Sequence, residues 1–365
     1  VGDETVRQMF RAPLAIAFPD LTLPAIHDCW YHIGLEGEVG HGIPDAAGFY
    51  EVAYSWYGDP DFAWVLNQNY ARRPRVALEA LLDGVATIPA APEPTFGDHH
   101  PVGSGLVVLR SDEPRDRQTY LLLKAGPDAR DHGHPDQLSV QLFAHGARLT
   151  ADLGTPGYGI GLNDTWYRQT ASHSTVLLDG QSQPTISGRI DRLDARDGFT
   201  LAEGSATWAE GPYAGAHLRR TILWRGAYWI DLFRATSPAA RPIDWVWQDF
   251  GTLEEPPAAE SLPGGLAGEG GYRHFSDVRR LRGDDARRLR WRSGGARLDL
   301  FLPPAAGEQL TASAPANPAS EALSALVRRR TAAATTFVAV FAASAAGAEP
   351  VVRAVEWRGD TTLLI

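Results

Sequence analysis

The 365-residue chain carries one cysteine, Cys29, and one methionine. A lone thiol cannot close an intrachain disulfide, so stability has to come from packing and a reducing compartment is acceptable. No run of about 18 uninterrupted apolar residues is present, which leaves no candidate for a membrane-spanning helix. Val1, Gly2, Asp3 and Glu4 lack the basic start and apolar core of a signal peptide. These absences predict a soluble chain without membrane partners, and favour the cytoplasm, with the periplasm or the exterior as alternatives. A surplus of positive charge is missing too. The 34 Lys and Arg against 44 Asp and Glu give a formal charge of −10, which repels polyanions at long range and argues against sequence-independent nucleic-acid binding. An acidic sugar would need a local basic patch.

What the chain has is apolar bulk and aromatics. Apolar residues make up 44%, enough for a substantial core, and the length suggests two packed units. Eleven tryptophans and eleven tyrosines suit large β cores and the apolar faces of sugar rings, core packing being the commoner use. Residues 1–90 read as helical, because Phe62, Val65, Leu66 and Tyr70, then Val76, Leu78, Leu81 and Leu82, recur near helical spacing. Gly84 and Pro89 end that pattern. Residues 88–97 carry three prolines and no periodicity, which marks a linker. Beyond it, runs of Val, Leu, Thr and aromatics at 106–110, 119–124, 138–144, 175–178, 218–224, 228–233, 298–302 and 336–342 predict antiparallel strands. The expected class is α+β: a helical unit over 1–97, then an antiparallel β-sandwich or stacked sheets over 98–365. That second unit has a possible subdivision near 252–270, within a loop-rich stretch over 252–320.

The chemistry concentrates between residues 132 and 173. In an extended segment, period two places His132, His134 and Asp136 on one face. A hairpin through Gly146 would return Asp152 beside them, and His173 precedes another apolar strand. Two histidines and one carboxylate suit zinc; surface polarity or hydrogen-bonded core histidines account for the same spacing. Elsewhere, Gly154 to Gly161 reads as a loop beside the site. Arg328, Arg329 and Arg330 read as solvated strand ends. The pairs His27–Asp28 and His99–His100 read as isolated polar clusters with surface or linker roles.

The run His132, Gly133, His134, Pro135, Asp136, then Asp152, Gly154 and Tyr158, then Trp166, Tyr167, Arg168 and His173 in order, resembles the heparinase II/III-like polysaccharide lyases. A weaker match over Phe10, Arg11, Phe18, Pro19, Asp20, Tyr50, Glu51 and Tyr54 is similar to the end of that group's helical toroid, nearest its exolytic oligoalginate lyase branch. The resemblance implies the C-terminal end of an (α/α) toroid followed by antiparallel β-sheets, and cleavage of acidic polysaccharide by β-elimination. It implies alginate-like uronates first and heparin-like chains next. His132 then stands at the family's active-site histidine, and His134, Asp152 and His173 stand at its zinc ligands, the zinc being structural. Tyr158 or Tyr167 would face substrate, and Arg168 is the candidate partner for a uronate carboxylate. Tyr167, beside Arg168, best meets the demand for positive charge near a catalytic phenol. The family's toroid begins further upstream, so the expectation includes a preceding toroid segment or a second chain. Two other readings stay open: a metal-dependent hydrolase or cupin-like enzyme, and a non-catalytic, zinc-stabilised sugar-binding fragment.

Overall fold

A computed structural model describes residues 3–30, 46–101, 103–127, 130–150, 152–304, 307–358 and 362–364. Four helices lie in the first part: α1 (Glu4–Ile16), α2 (Ala46–Tyr57), α3 (Pro60–Tyr70) and α4 (Leu78–Leu82). Asp3 caps α1 by accepting from the Thr5 amide, and Asp59 caps α3 from the residue before Pro60, as expected for Asp at an N-cap and Pro in the first turn. Phe10, Leu14, Tyr50, Phe62, Val65 and Leu66 form their shared core. The helical reading of 1–90 was too broad. Residues 17–30 run without helix, and this stretch matters below. Among the described residues, no helix is long and apolar enough to cross a membrane.

The first sheet is an antiparallel meander of β1 (Leu106–Arg110), β2 (Tyr120–Lys124), β3 (Ser139–Ala144) and β4 (Ala147–Thr150). His145 and Gly146 turn β3 into β4, both with positive φ, the geometry a two-residue hairpin needs. Every residue of β2 is buried because both faces are covered. Val107, Leu109, Leu121 and Leu123 point into the main core. Val108, Tyr120 and Leu122 face Phe18 and Ala25 of the irregular N-terminal stretch. Period two therefore puts Lys124 on the face that meets residues 17–30.

The second sheet holds β5 (Val176–Leu178), β6 (Arg189–Arg196), β7 (Phe199–Thr207), β8 (His217–Arg225), β9 (Tyr228–Asp249), β10 (Thr252–Glu254), β11 (Ala259–Ser261), β12 (Ser276–Leu281), β13 (Arg287–Ser293), β14 (Ala296–Leu302), β15 (Glu308–Pro315) and β16 (Ala322–Ala345). Its spine runs β10-β13-β14-β16-β9-β8-β7-β6, with β5 added on β9 and β15 on β16. The 22-residue β9 and 24-residue β16 pair along most of their length, with Phe337 opposite Phe233 and Val327 opposite Val246. The strands expected at 228–233 and 336–342 are thus only parts of these two. The stretch 252–320, expected to be loop-rich apart from a strand at 298–302, holds six strands, β10 to β15, of which β14 is the expected one. Trp229, Trp245, Trp247 and Trp291 are buried in the space between the sheets, so these aromatics serve the core. The Arg328–Arg330 run is a correction. It sits inside β16, not at its end, with Arg328 buried and Arg329 forming two 2.7 Å bonds to Asp244.

Candidate active site

Three loops and one strand end build the site. Residues 130–138 lead from a short 3-10 turn, Arg130–His132, into β3. His132 and His134 are therefore not on a strand, and the expected single face does not exist: the His132 side chain is 70% exposed while that of His134 is fully buried. Asp152 follows β4, and His173 follows the 3-10 turn Thr170–Ser172 and precedes β5. Arg220 of β8 fastens these pieces. Its guanidinium donates to the Leu138 carbonyl at 2.8 Å and the Ser174 carbonyl at 2.7 Å while paired with Asp231 at 2.5 Å.

His134, Asp152 and His173 converge. All three are buried, and one ligand atom from each lies within 4.8 Å of the others. Asp152 Oδ1 is 3.8 Å from His134 Nδ1 and 3.6 Å from His173 Nδ1. Among the described residues, His134 Nδ1, Asp152 Oδ2 and His173 Nε2 are buried with no hydrogen-bond partner, an arrangement that needs a reason in a folded protein. A metal ion would supply one. The donor set of two imidazoles and a carboxylate is of the kind that would hold zinc. Burial holds both imidazoles neutral, His134 below its ordinary range and His173 down to about 3, the form a metal requires. Burial, then the nearby Asp136 carboxylate, pushes Asp152 well above the usual range; a bound dication would reverse that.

Asp136 does not join the triad because Lys124 takes it. The ammonium lies 2.5 Å from both Asp136 oxygens, and both side chains are buried. Burial alone would raise the Asp136 pKa, but Lys124 and then the neighbouring histidines bring it below the ordinary carboxylate range. The His27–Asp28 reading as a surface cluster is corrected as well. His27, left-handed at φ 60°, accepts through Nδ1 from the His134 amide at 3.2 Å, and Lys124 Nζ stands 3.3 Å from the same atom. Burial, and then Lys124, lowers His27 to about 4. Asp28 Oδ1 lies 3.2 Å from His134 Nε2, and Asp28 Oδ2 lies 3.1 Å from His132 Nδ1 and 3.3 Å from the Tyr158 hydroxyl. Gly154 allows this close approach: its φ is +55°, and a Cβ there would stand 2.2 Å from the Cys29 carbonyl oxygen. His27 and Asp28 were missed because their partners are about a hundred residues away, and Lys124 because nothing in the local pattern pairs it with Asp136, 12 residues on. One signal was available for Lys124: it is the only lysine in the sequence.

At the rim, Tyr158 is exposed, and its hydroxyl is 3.0 Å from His132 Nδ1. Desolvation first, then the Asp28 carboxylate, raise its pKa, so the phenol is protonated at neutral pH. Tyr167 is not at this rim. It is buried, its hydroxyl donates to the Ala316 carbonyl at 2.7 Å, and burial raises it to about 12; a phenol so placed cannot meet a polymer. Arg168 donates to the carbonyls of Asp131 at 2.7 Å and Gly133 at 3.3 Å, on either side of His132, and lies 4.0 Å from exposed Asp164. Much of its donor capacity therefore holds the His132 loop.

Residues 94–261 match the heparinase II/III-like, C-terminal family model. Over those residues the chain is similar to the heparinase II/III-like C-terminal region. It is 24% identical over 250 residues to a heparin-sulfate lyase of Pedobacter heparinus, covering 67% of this chain and 33% of that protein. It is 34% identical over 83 residues to a heparin-sulfate lyase of Bacteroides stercoris, covering 22% of this chain and 12% of that one. Among solved structures, heparan sulfate lyase HepC of Pedobacter heparinus superposes with a TM-score of 0.66 at 17% identity, over 97% of this chain and 48% of that chain. A heparinase III structure does so with a TM-score of 0.63 at 12% identity, over 94% and 48%. The fold of the chain, helices followed by large antiparallel sheets, is thus shared with those structures. The chain spans about a third of the first of these curated relatives and about half of the structural ones.

Proposed function

We propose that the chain forms part of a lyase that cleaves a uronate-containing acidic polysaccharide by β-elimination. The observation that carries this reading is the exposed His132–Tyr158 pair, 3.0 Å apart, standing on the buried His134, Asp152 and His173 triad within the heparinase-like region. The two heparin-sulfate lyases among the relatives make heparan-sulfate-type chains the first substrate to test and alginate the second.

Elimination removes the C5 proton beside the uronate carboxylate and breaks the bond from C4 to oxygen. The products are an unsaturated uronate and a free hydroxyl, and the charge developing on the carboxylate must be stabilised. His132 takes the role of hydrogen-bond or proton-transfer group. Tyr158, held protonated beside Asp28, is suited to donate to the leaving oxygen rather than to take the C5 proton. Arg168 would offer its edge near Asp164 to the substrate carboxylate, with Asp164 displaced. In this reading the remaining acid–base group comes from outside these residues, from a preceding segment or a second chain.

A zinc ion in the triad would supply rigidity to the loop carrying His132. Its ligands are buried beneath the rim, so a polymer would meet His132 and Tyr158 instead, which favours elimination over metal-centred hydrolysis. The test is ultraviolet absorbance of unsaturated uronate, measured with heparan sulfate and alginate on the protein together with any adjoining toroid segment. Absorbance that rises with the wild type and falls sharply in H132A supports the reading; a flat trace on both polymers overturns it.

A further inference from the structure

Asp28 lies outside residues 94–261, in the irregular stretch between α1 and α2, yet its side chain is only 4% exposed and its two oxygens face different parts of the site. Oδ1 meets buried His134 through Nε2, and Oδ2 meets His132 through Nδ1 and Tyr158 through its hydroxyl. A carboxylate offers only acceptors. At 3.2 Å from His134 Nε2, 3.1 Å from His132 Nδ1 and 3.3 Å from the Tyr158 hydroxyl, its oxygens accept and each neighbour donates.

We propose that Asp28 is a positioning residue that fixes the tautomers of two histidines at once, joining the buried triad to the exposed pair. The second half of this inference rests on the lyase reading; the first does not. When His134 donates Nε2–H to Oδ1, its Nδ1 lone pair is left facing Asp152 and His173, where Nδ1 is otherwise an unpartnered buried atom. When His132 donates Nδ1–H to Oδ2, its Nε2 lone pair is left as the basic atom of the ring. The backbone holds the carboxylate in place: the Asp28 amide donates to the His132 carbonyl at 3.3 Å, and the Cys29 carbonyl accepts from the Thr155 amide at 3.0 Å. The stretch from His27 to Cys29 is thereby bound both to the loop that carries the two histidines and to the loop that carries Tyr158. A carboxylate on the far nitrogen of a ligating histidine also raises its basicity, and loss of such a partner lowers metal affinity by about 10–100-fold.

The test measures zinc affinity by chelator competition in wild type, D28N and D28E, and kcat and KM for the enzyme with its adjoining segment. D28N is expected to weaken zinc binding by about 10–100-fold and to lower kcat with KM within about 2-fold, with D28E recovering part of both. Affinity in folded D28N within about 2-fold of wild type would overturn the proposal, as would a wild-type chain that binds no zinc. If D28N does not fold, long-range proton–nitrogen NMR of the wild type decides. His134 protonated on Nε2 supports the proposal, and His134 protonated on Nδ1 overturns it. If the wild type eliminates no uronate polymer, the lyase reading fails alone, and the zinc affinities still decide the role of Asp28 at His134.

Discussion

Arg220 offers the sharpest test of how the two sheets are joined beneath the site. Its side chain is fully buried, paired through Nε and Nη2 with Asp231 at 3.0 and 2.5 Å, and donates through Nη1 to the carbonyls of Leu138 and Ser174. R220M keeps the volume and deletes the charge. It leaves Asp231 buried without its ion-pair partner, for which about 3–5 kcal/mol is typical. It also orphans two carbonyls at about 1 kcal/mol or more each. With a urea slope of about 3 kcal/mol per M, a loss of about 4 kcal/mol lowers the unfolding midpoint by more than about 1 M. The double variant R220M/D231L removes the stranded charge and should regain a large part of that loss, as hydrophobic replacement of buried pairs does elsewhere. Urea titration followed by tryptophan fluorescence reads all three proteins. A midpoint for R220M within about 0.3 M of wild type, or a double variant no better than the single, would refute the reasoning.

Zinc at about 100 times its Kd should add about 2.7 kcal/mol of stability and raise Tm by about 3–5 °C; an equal rise in H173A would contradict the assignment of the triad. Y158F should leave stability within about 0.5 kcal/mol while lowering kcat by about 100-fold or more. Y167F should do the reverse, losing about 1 kcal/mol with activity kept, because it frees the Ala316 carbonyl; paired assays that find the opposite order would restore Tyr167 as the substrate-facing phenol. Buried Asp249, which burial raises to about 7 despite bonds from Gly251 and Trp247, stays protonated in the folded state after it has ionised in the unfolded one. Its stabilisation is complete below pH about 4 and is lost as pH rises through about 7, a change of about 2–3 kcal/mol between pH 5 and 8. Comparing wild type with D249N at the two pH values should show that difference, and parallel pH profiles would rule it out.

Much of the architecture was legible because it rests on local pattern. The helical spacing of Phe62, Val65, Leu66 and Tyr70, the apolar strand runs, and the Gly146 hairpin that returns Asp152 are properties of neighbouring residues, and short-range rules reach them. The triad was legible through spacing and resemblance together. Long-range pairing was not. The pairing of β9 with β16 joins residues far apart in sequence, and nothing local sets its length. The site failed in the same way. His27 and Asp28 gain their roles only when residues 17–30 fold across β2, and the Tyr167 hydroxyl is withheld from the rim by its bond to the distant Ala316 carbonyl. A single extended face for His132 and His134 was the natural inference from period two. The 3-10 turn ending at His132 and the proline between His134 and Asp136 broke it, sending one imidazole outward and the other inward.

The central claim is elimination at the His132–Tyr158 rim, and product mass tests it most directly. Heparan sulfate or alginate oligosaccharides of defined length are cleaved by the protein with its adjoining segment, and the fragments are weighed by mass spectrometry. Elimination predicts fragment masses that sum to that of the parent, with one fragment unsaturated. Fragments that together exceed the parent by one water would show hydrolysis and contradict the account.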